Sequence, residues 1–339
     1  MTETTRLELT GAPGSPYTRK MIALLRYRHI PYMVYWGVGG VPESYPQPKV
    51  RLLPTFFFPD GDNGERVAVT DSTPIIRRLE GEHTGRSVIP TDPALAFIND
   101  LIEDYADEWL TKPMFHFRWA HEADWKNAGP LLVYWGMPTM DAEQAKSWID
   151  DFTKRQIDRL YVVGSNEVTA KAIEDSYERL VGILDRLLQR AGYVLGARPS
   201  SADFALFGQM TQLAIIEPTS AAITNRVSQR VRAWLDRMDD MSGLRPDDDW
   251  SHDEAALSEL LGEIGRTYAP VMIANAKAVM GGEKSFATDV DGARWEQPTF
   301  SYQAKCLGWL REAHGALSDD DRKRVDAMLN GTGCDALFA

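Results

Sequence analysis

The sequence predicts an α+β N-terminal domain, then an all-α domain, then a mainly helical extension. Three observations carry this. Short β-type segments are confined to the first 70 or so residues, a hairpin-type turn separates the last two of them, and helical periodicity dominates from Pro93 onward. At 339 residues the chain exceeds one ordinary core and suits two or three packed units.

Taken in order, Arg6 to Thr10 alternates as a strand, with Leu7 and Leu9 on one face. Gly11–Gly14 is a loop, and a helix from about Pro16 to Arg28 places Met21, Leu24 and Leu25 at core spacing. Tyr32–Trp36, aromatic and β-branched, is a second strand. Residues 37–51 form a Gly- and Pro-rich connection without a period. Thr55–Phe58 and Arg66–Thr70 are two further strands around Asp60-Gly61-Asp62-Asn63-Gly64, and a helix from about Pro74 to Glu80 follows. The order β-α-β, hairpin, α is that of a thioredoxin-like domain.

Beyond Pro93, Asp100 to His121 is a long aromatic-rich helical stretch, expected to break near Pro113. Ala142–Leu160 and Ser176–Arg190 are helices, the second with Tyr177, Leu180, Val181, Leu184, Leu187 and Leu188 on one stripe. Ser200 and Asp203 have capping-box spacing ahead of the apolar run Phe204–Phe207. Arg245-Pro246-Asp247-Asp248-Asp249 is a polar break. After it come helices over about Asp253–Met280, Tyr302–His314 and Asp319–Met328, around a polar, turn-rich middle.

Composition narrows the function. The formal charge of −12 argues against nucleic acid, which rewards clustered Lys and Arg, and gives no reason to expect an anionic membrane partner. No N-terminal apolar run resembles a signal peptide, and no stretch approaches the roughly 20 apolar residues of a membrane span. Cys306 and Cys334 are the only cysteines and form no C-x-x-C pair, so a reducing cytoplasm is the expected setting. Gly37-Val38-Gly39-Gly40 follows a strand but opens no helix, so it is no dinucleotide fingerprint.

Three short motifs carry chemistry: Gly14-Ser15-Pro16-Tyr17-Thr18-Arg19-Lys20, Leu53-Pro54-Thr55, and Asp71-Ser72-Thr73-Pro74. Read locally, Ser15 followed by Pro16 is an N-cap and N1 pair, and Asp71-Ser72-Thr73 is a helix cap. In this order and spacing the set resembles the glutathione site of the glutathione S-transferase superfamily, over about residues 6–245. Gly196, Pro199, Ser200, Ala202 and Asp203 also resemble the folding signature of that family's helical domain.

The resemblance implies glutathione as co-substrate. Leu53, ahead of Pro54 as a cis-proline, would pair its backbone with the cysteinyl unit. Asp71 would hold the γ-glutamyl ammonium, and Ser72 with the helix amides its carboxylate. Ser15 matches the hydroxyl that serine-type members use to stabilise the thiolate, with Tyr17 as a second candidate. The absence of a cysteine at Ser15 argues against thiol transfer. Conjugation, isomerisation, dehalogenation and ether cleavage stay open.

The implied architecture is a thioredoxin-like glutathione-binding domain (1–90), an all-helical domain with an electrophile pocket (91–245) and an extension of unknown role (246–339). A homodimer follows by analogy. The cluster Tyr105, Trp109, Phe115, His116, Phe117 and Trp119 is a candidate pocket lining and equally a core stripe. His116 and His121 hint at a metal, but i, i+5 spacing does not put both imidazoles on one helix face, so no metal is expected. The leading reading is a glutathione-dependent enzyme acting on a small hydrophobic electrophile. The alternative is a non-catalytic binding or regulatory protein on the same fold.

Overall fold

A computed structural model describes residues 6–37, 40–245 and 250–339; the polar break at 246–249 and the middle of Gly37–Gly40 lie outside the described residues. The N-terminal elements run β1 (Leu7–Gly11), α1 (Pro16–Tyr27), β2 (Tyr32–Trp36), β3 (Thr55–Phe58), β4 (Val67–Val69) and α2 (Ser72–Glu82). The sheet order is β2-β1-β3-β4, with β1 parallel to β2 and antiparallel to β3, and β3 antiparallel to β4. This is the thioredoxin-like arrangement. All four residues of β3 are buried, and α1 buries Met21, Leu24 and Leu25 as its periodicity demands.

A many-helix region follows. It begins with α3 (Pro93–Glu108), α4 (Thr111–Ala120), α5 (Glu122–Gly136) and α6 (Ala142–Ile157). It continues with α7 (Ala170–Arg190), α8 (Ser201–Thr211), α9 (Pro218–Val227) and α10 (Gln229–Met238). The long stretch breaks at Trp109–Leu110, just ahead of Pro113. Pro113 then sits in the first turn of α4, where a missing N–H costs nothing. Helix α5 carries Pro130 in its interior, which hid its periodicity. The Ser200–Asp203 capping box forms as the spacing predicts, and Asp203 also accepts from the Val194 N–H at 2.9 Å.

The extension holds α11 (Glu254–Met280), β5 (Ser285–Val290), β6 (Ala293–Pro298), α12 (Ser301–Ala316) and α13 (Asp319–Leu329). Its turn-rich middle is therefore a β-hairpin. Asp291 (φ 51°) and Gly292 (φ 77°) make its two-residue turn, the Asp-Gly pair that a type I′ turn selects. Helices α11, α12 and α13 all pack against α3. Trp109 meets Trp295 of β6 with ring centroids 5.4 Å apart, and Phe97 meets Phe338 at 5.4 Å. No described helix is long and apolar enough to cross a membrane.

The closest backbone approach that matters for the site is between α8 and α1. A Cβ on Gly208 would lie 2.4 Å from the Pro16 carbonyl oxygen, so only glycine lets α8 seat the first turn of α1. Gly208→Ala should therefore lower unfolding free energy by about 1–3 kcal/mol in urea titration. Gly182→Ala on α7, where a Cβ meets only the Arg186 guanidinium at 3.5 Å, should instead stabilise by up to about 1 kcal/mol. Equal effects at the two positions would refute the close-packing argument.

Candidate functional site

The residues singled out in the sequence gather where the first turns of α1 and α2 meet the C-terminal half of α3. Ser15 is the N-cap of α1: its Oγ accepts from the Thr18 N–H at 3.2 Å and donates to the Leu53 carbonyl at 3.2 Å. The Leu53–Pro54 peptide is cis. The loop before Ser15 is held from the helical side. Arg118, buried on α4, donates to the Gly14 carbonyl at 3.0 Å and to Gln212 Oε1 at 2.7 Å, and it pairs with buried Glu217. Gln212 Nε2 in turn donates to the Pro13 carbonyl at 3.2 Å.

Tyr17 goes elsewhere. Its phenol donates to the Asp107 carbonyl at 2.8 Å, and burial, with Glu108 and Asp107 nearby, pushes its pKa far up. In this geometry it is a packing and anchoring residue, and its proton is not offered to a thiol.

At α2 the two expected residues differ. Asp71 occupies the N-cap position with φ 85° and ψ 110°, a region that L-residues use sparingly, and its carboxylate does not cap the helix. It accepts instead from the Tyr302 hydroxyl of α12. Burial raises the Asp71 carboxyl, while Tyr302 and Lys20 oppose the rise. Ser72 is buried and its Oγ accepts from Lys20 Nζ at 3.1 Å.

Lys20 is the member that sequence reading missed. Only 1% exposed, its ammonium reaches Asp107 at 2.6 Å, Glu103 at 2.8 Å, Ser72 at 3.1 Å and Thr73 at 3.4 Å. Burial works against the ammonium, but Asp107 and Glu103 outweigh it and its pKa is raised. Glu103 also accepts from Thr73 (2.8 Å), Arg77 (3.0 Å) and Ser201 (2.6 Å). Burial alone would lift its carboxyl; Lys20 and Arg77 overrule that and hold it well below the usual range. The signal was present: Lys20 lies four residues before Leu24, on the buried face of α1, and Glu103 and Asp107 are i, i+4 on α3.

Around this core lies a patch of partly desolvated acids. Burial and neighbouring charge push Asp107 up to about 6 and Glu108 up to about 7. Asp104 is driven well above its ordinary value by burial and accepts from Tyr268 of α11 at 2.6 Å. Lys112, buried against Gln297 (2.9 Å), is lowered by burial to about 8.

The aromatic cluster is core. Tyr105, Trp109, His116, Phe117 and Trp119 are all buried, Tyr105 edge-on to Tyr268 and Phe117 to Tyr177. Only Phe115 is partly exposed. Of the two readings of that stripe, core holds for these five residues, while Phe115 meets Trp119 of its own helix at 6.3 Å. The aromatic surface beside Asp71 comes from α12, where Tyr302 (40% exposed) and Trp309 (48% exposed) meet edge-on at 6.1 Å.

Two tests follow. Lys20→Met leaves Asp107 buried without its cation and Glu103 with Arg77 alone, and should cost about 3–5 kcal/mol in chemical denaturation; a loss under about 1 kcal/mol would refute the network's role. The second concerns pH. Glu108 moves from an ordinary 4.5 up to about 7, so the folded chain keeps a proton that the unfolded chain loses. Its contribution is complete below pH 4.5 and is lost as pH rises to about 7. Melting temperature should fall from pH 5 to pH 7.5, and fall less in Glu108→Gln; identical slopes would sink the assignment.

Comparison with known proteins adds a family to this geometry. No curated protein sequence matches the chain. Solved structures similar to it include a glutathione transferase from Pseudomonas putida with glutathione disulfide bound (16% identity, 70% of this chain and 88% of that one, TM-score 0.42). Others are the beta-etherase LigF from Sphingobium sp. strain SYK-6 (17%, 71% and 96%, 0.48) and FzlA from C. crescentus (16%, 68% and 86%, 0.39). Residues 9–87, from β1 through the end of α2, match the sequence model of the family "Glutathione S-transferase, N-terminal domain", and this part of the chain is such a domain.

Proposed function

We propose that the protein is a glutathione-dependent enzyme that binds the tripeptide at the α1–α2 junction and activates its thiol for attack on a small hydrophobic electrophile. The observation that carries the reading is the donor arithmetic at Ser72. A lysine ammonium has donors only, so Ser72 Oγ accepts from Lys20 and its own proton is left to donate. A serine at a helix N-terminus, with a cation behind it and a proton to give, is a carboxylate receptor. The γ-glutamyl carboxylate fits there, and Asp71 takes the adjoining ammonium in place of the Tyr302 hydroxyl.

Ser15 fits a ligand-coupled role. Its proton now rests on the Leu53 carbonyl. A cysteinyl N–H pairing with that carbonyl, as an added strand would, displaces the Ser15 hydroxyl and frees it to donate to sulfur. Stabilising the thiolate by that bond and by the positive end of α1 lowers the thiol pKa towards neutrality. Tyr302 and Trp309 then offer an aromatic wall to the electrophile.

One observation favours a second reading. With Tyr302 donating to Asp71, the extension already satisfies the acid that should hold the ligand. A transferase-fold protein that docks a partner and does no chemistry would look the same.

Calorimetric titration with reduced glutathione and S-methylglutathione separates the two. Saturable binding, tighter for the free thiol, is expected. Asp71→Asn should weaken it at least tenfold, about 1.4 kcal/mol. Ser15→Ala should leave affinity nearly unchanged but raise the pKa of the bound thiol, read by thiolate absorbance. Tyr302→Phe should tighten binding several-fold by removing the competing donor. No binding of either ligand at millimolar concentration would overturn the enzyme reading.

A further inference from the structure

At the C-terminal end of α4, three potential ligands converge. Helix α4 stops at Ala120, and His121 follows in extended conformation (φ −104°, ψ 139°), so the i, i+5 helical argument against His116 and His121 does not apply. The turn brings the two imidazoles edge to face, with centroids 5.4 Å apart. Glu174 from α7, 53 residues further along, completes the group. His116 Nε2 lies 3.2 Å and His121 Nε2 3.1 Å from the same oxygen, Glu174 Oε1, and all three atoms are within 4.8 Å of one another.

We propose that His116, His121 and Glu174 form a binding site for a divalent transition metal of the zinc type, with its fourth position open to water.

Three features support this. Ligands about 2.0–2.1 Å from a tetrahedral zinc stand about 3.3 Å apart, close to both observed N–O separations. His121 Nε2 is shielded from solvent and, despite its 3.1 Å approach, makes no hydrogen bond of acceptable geometry among the described residues. A shared cation gives that nitrogen a partner, which a buried polar atom requires. His116 Nδ1 is 2.7 Å from the buried Ser165 hydroxyl. In the tautomer that donates Nδ1–H to Ser165, the Nε2 lone pair faces Glu174, which is the arrangement a metal-bound histidine takes.

The surroundings fit as well. Asp124, which caps the Thr219 backbone, adds negative potential on the histidine side. His121 and Glu174 side chains are 33% and 36% exposed, which leaves an entry path and room for a water ligand. Two imidazoles with one carboxylate suit zinc over calcium or magnesium, which prefer all-oxygen shells.

The test uses the untagged full-length protein after EDTA treatment and dialysis. Titration with Zn2+ should give one equivalent bound at micromolar Kd or tighter, and Co2+ should show the visible bands of a tetrahedral site. His121→Ala and Glu174→Gln, both at partly exposed positions, should each weaken Zn2+ at least tenfold and abolish the Co2+ bands. Ser165→Ala should weaken Zn2+ by about 10–100-fold while the Co2+ bands persist at saturation. Circular dichroism checks that each variant is folded. Absence of stoichiometric binding in the wild type would overturn the proposal, as would equal affinity in the double variant His121→Ala, Glu174→Gln.

Discussion

The ammonium of Lys20 is where α1, α2 and α3 are tied into one frame, and the geometry of the candidate site depends on that tie. Charge this deeply buried survives only when its partners are close and themselves well satisfied. Here Glu103 is both: it takes Lys20 on one oxygen and Arg77 and Ser201 on the other. Because Lys20 lies in the second turn of α1, its fixed position also fixes Ser15 at the head of that helix. Because Ser72 and Thr73 are its other partners, the N-terminus of α2 is set against the same point. Stability and the placement of the chemically interesting hydroxyls are thus one problem, solved by one cation.

The extension is built onto this frame through hydroxyls of two tyrosines. Tyr268 of α11 donates to Asp104, and Tyr302 of α12 donates to Asp71. A phenol suits such a joint because it covers an acid with apolar area and gives one proton to the carboxylate beneath. Next to them, Trp295 of the hairpin lies over Trp109 and close against Gly164, where a Cβ would approach its ring at 2.4 Å. Gly164 has φ 75°, so the contact needs glycine both for room and for conformation. The extension is accordingly an integral covering of α3.

Much of this was legible in the sequence wherever the signal was local. The strands, the helix starts at Pro16 and Asp253, the Ser200–Asp203 box and the three motifs are fixed by neighbours a few residues apart. Other elements were readable but obscured: Pro130 masked α5, and Asp291-Gly292 marks a hairpin inside what reads as polar turn. The aromatic stripe around Trp109 could not be resolved by periodicity, since core and pocket both ask for large rings at helical spacing. The Tyr302–Asp71 contact spans 231 positions and leaves no trace in either segment alone. Glu174 lies 58 positions from His116, and neither segment alone points to the other. Ser15, Leu53, Asp71 and Ser72 could be singled out from sequence, but the partners that the fold gives them could not.

The way the extension closes over α3 has a consequence for synthesis. A chain emerges from the ribosome N-terminus first, and its domains tend to fold as they appear. The sheet, α1 and α2 can assemble early, with Lys20 finding Glu103 and Asp107 as soon as α3 follows. The outer side of α3, with Phe97, Asp104 and Trp109, then waits uncovered for Tyr268, Trp295 and Phe338. During that interval the nascent protein presents an apolar, acidic helix to the cell, and it is in this window that the chain is most exposed to mispairing and to chaperones.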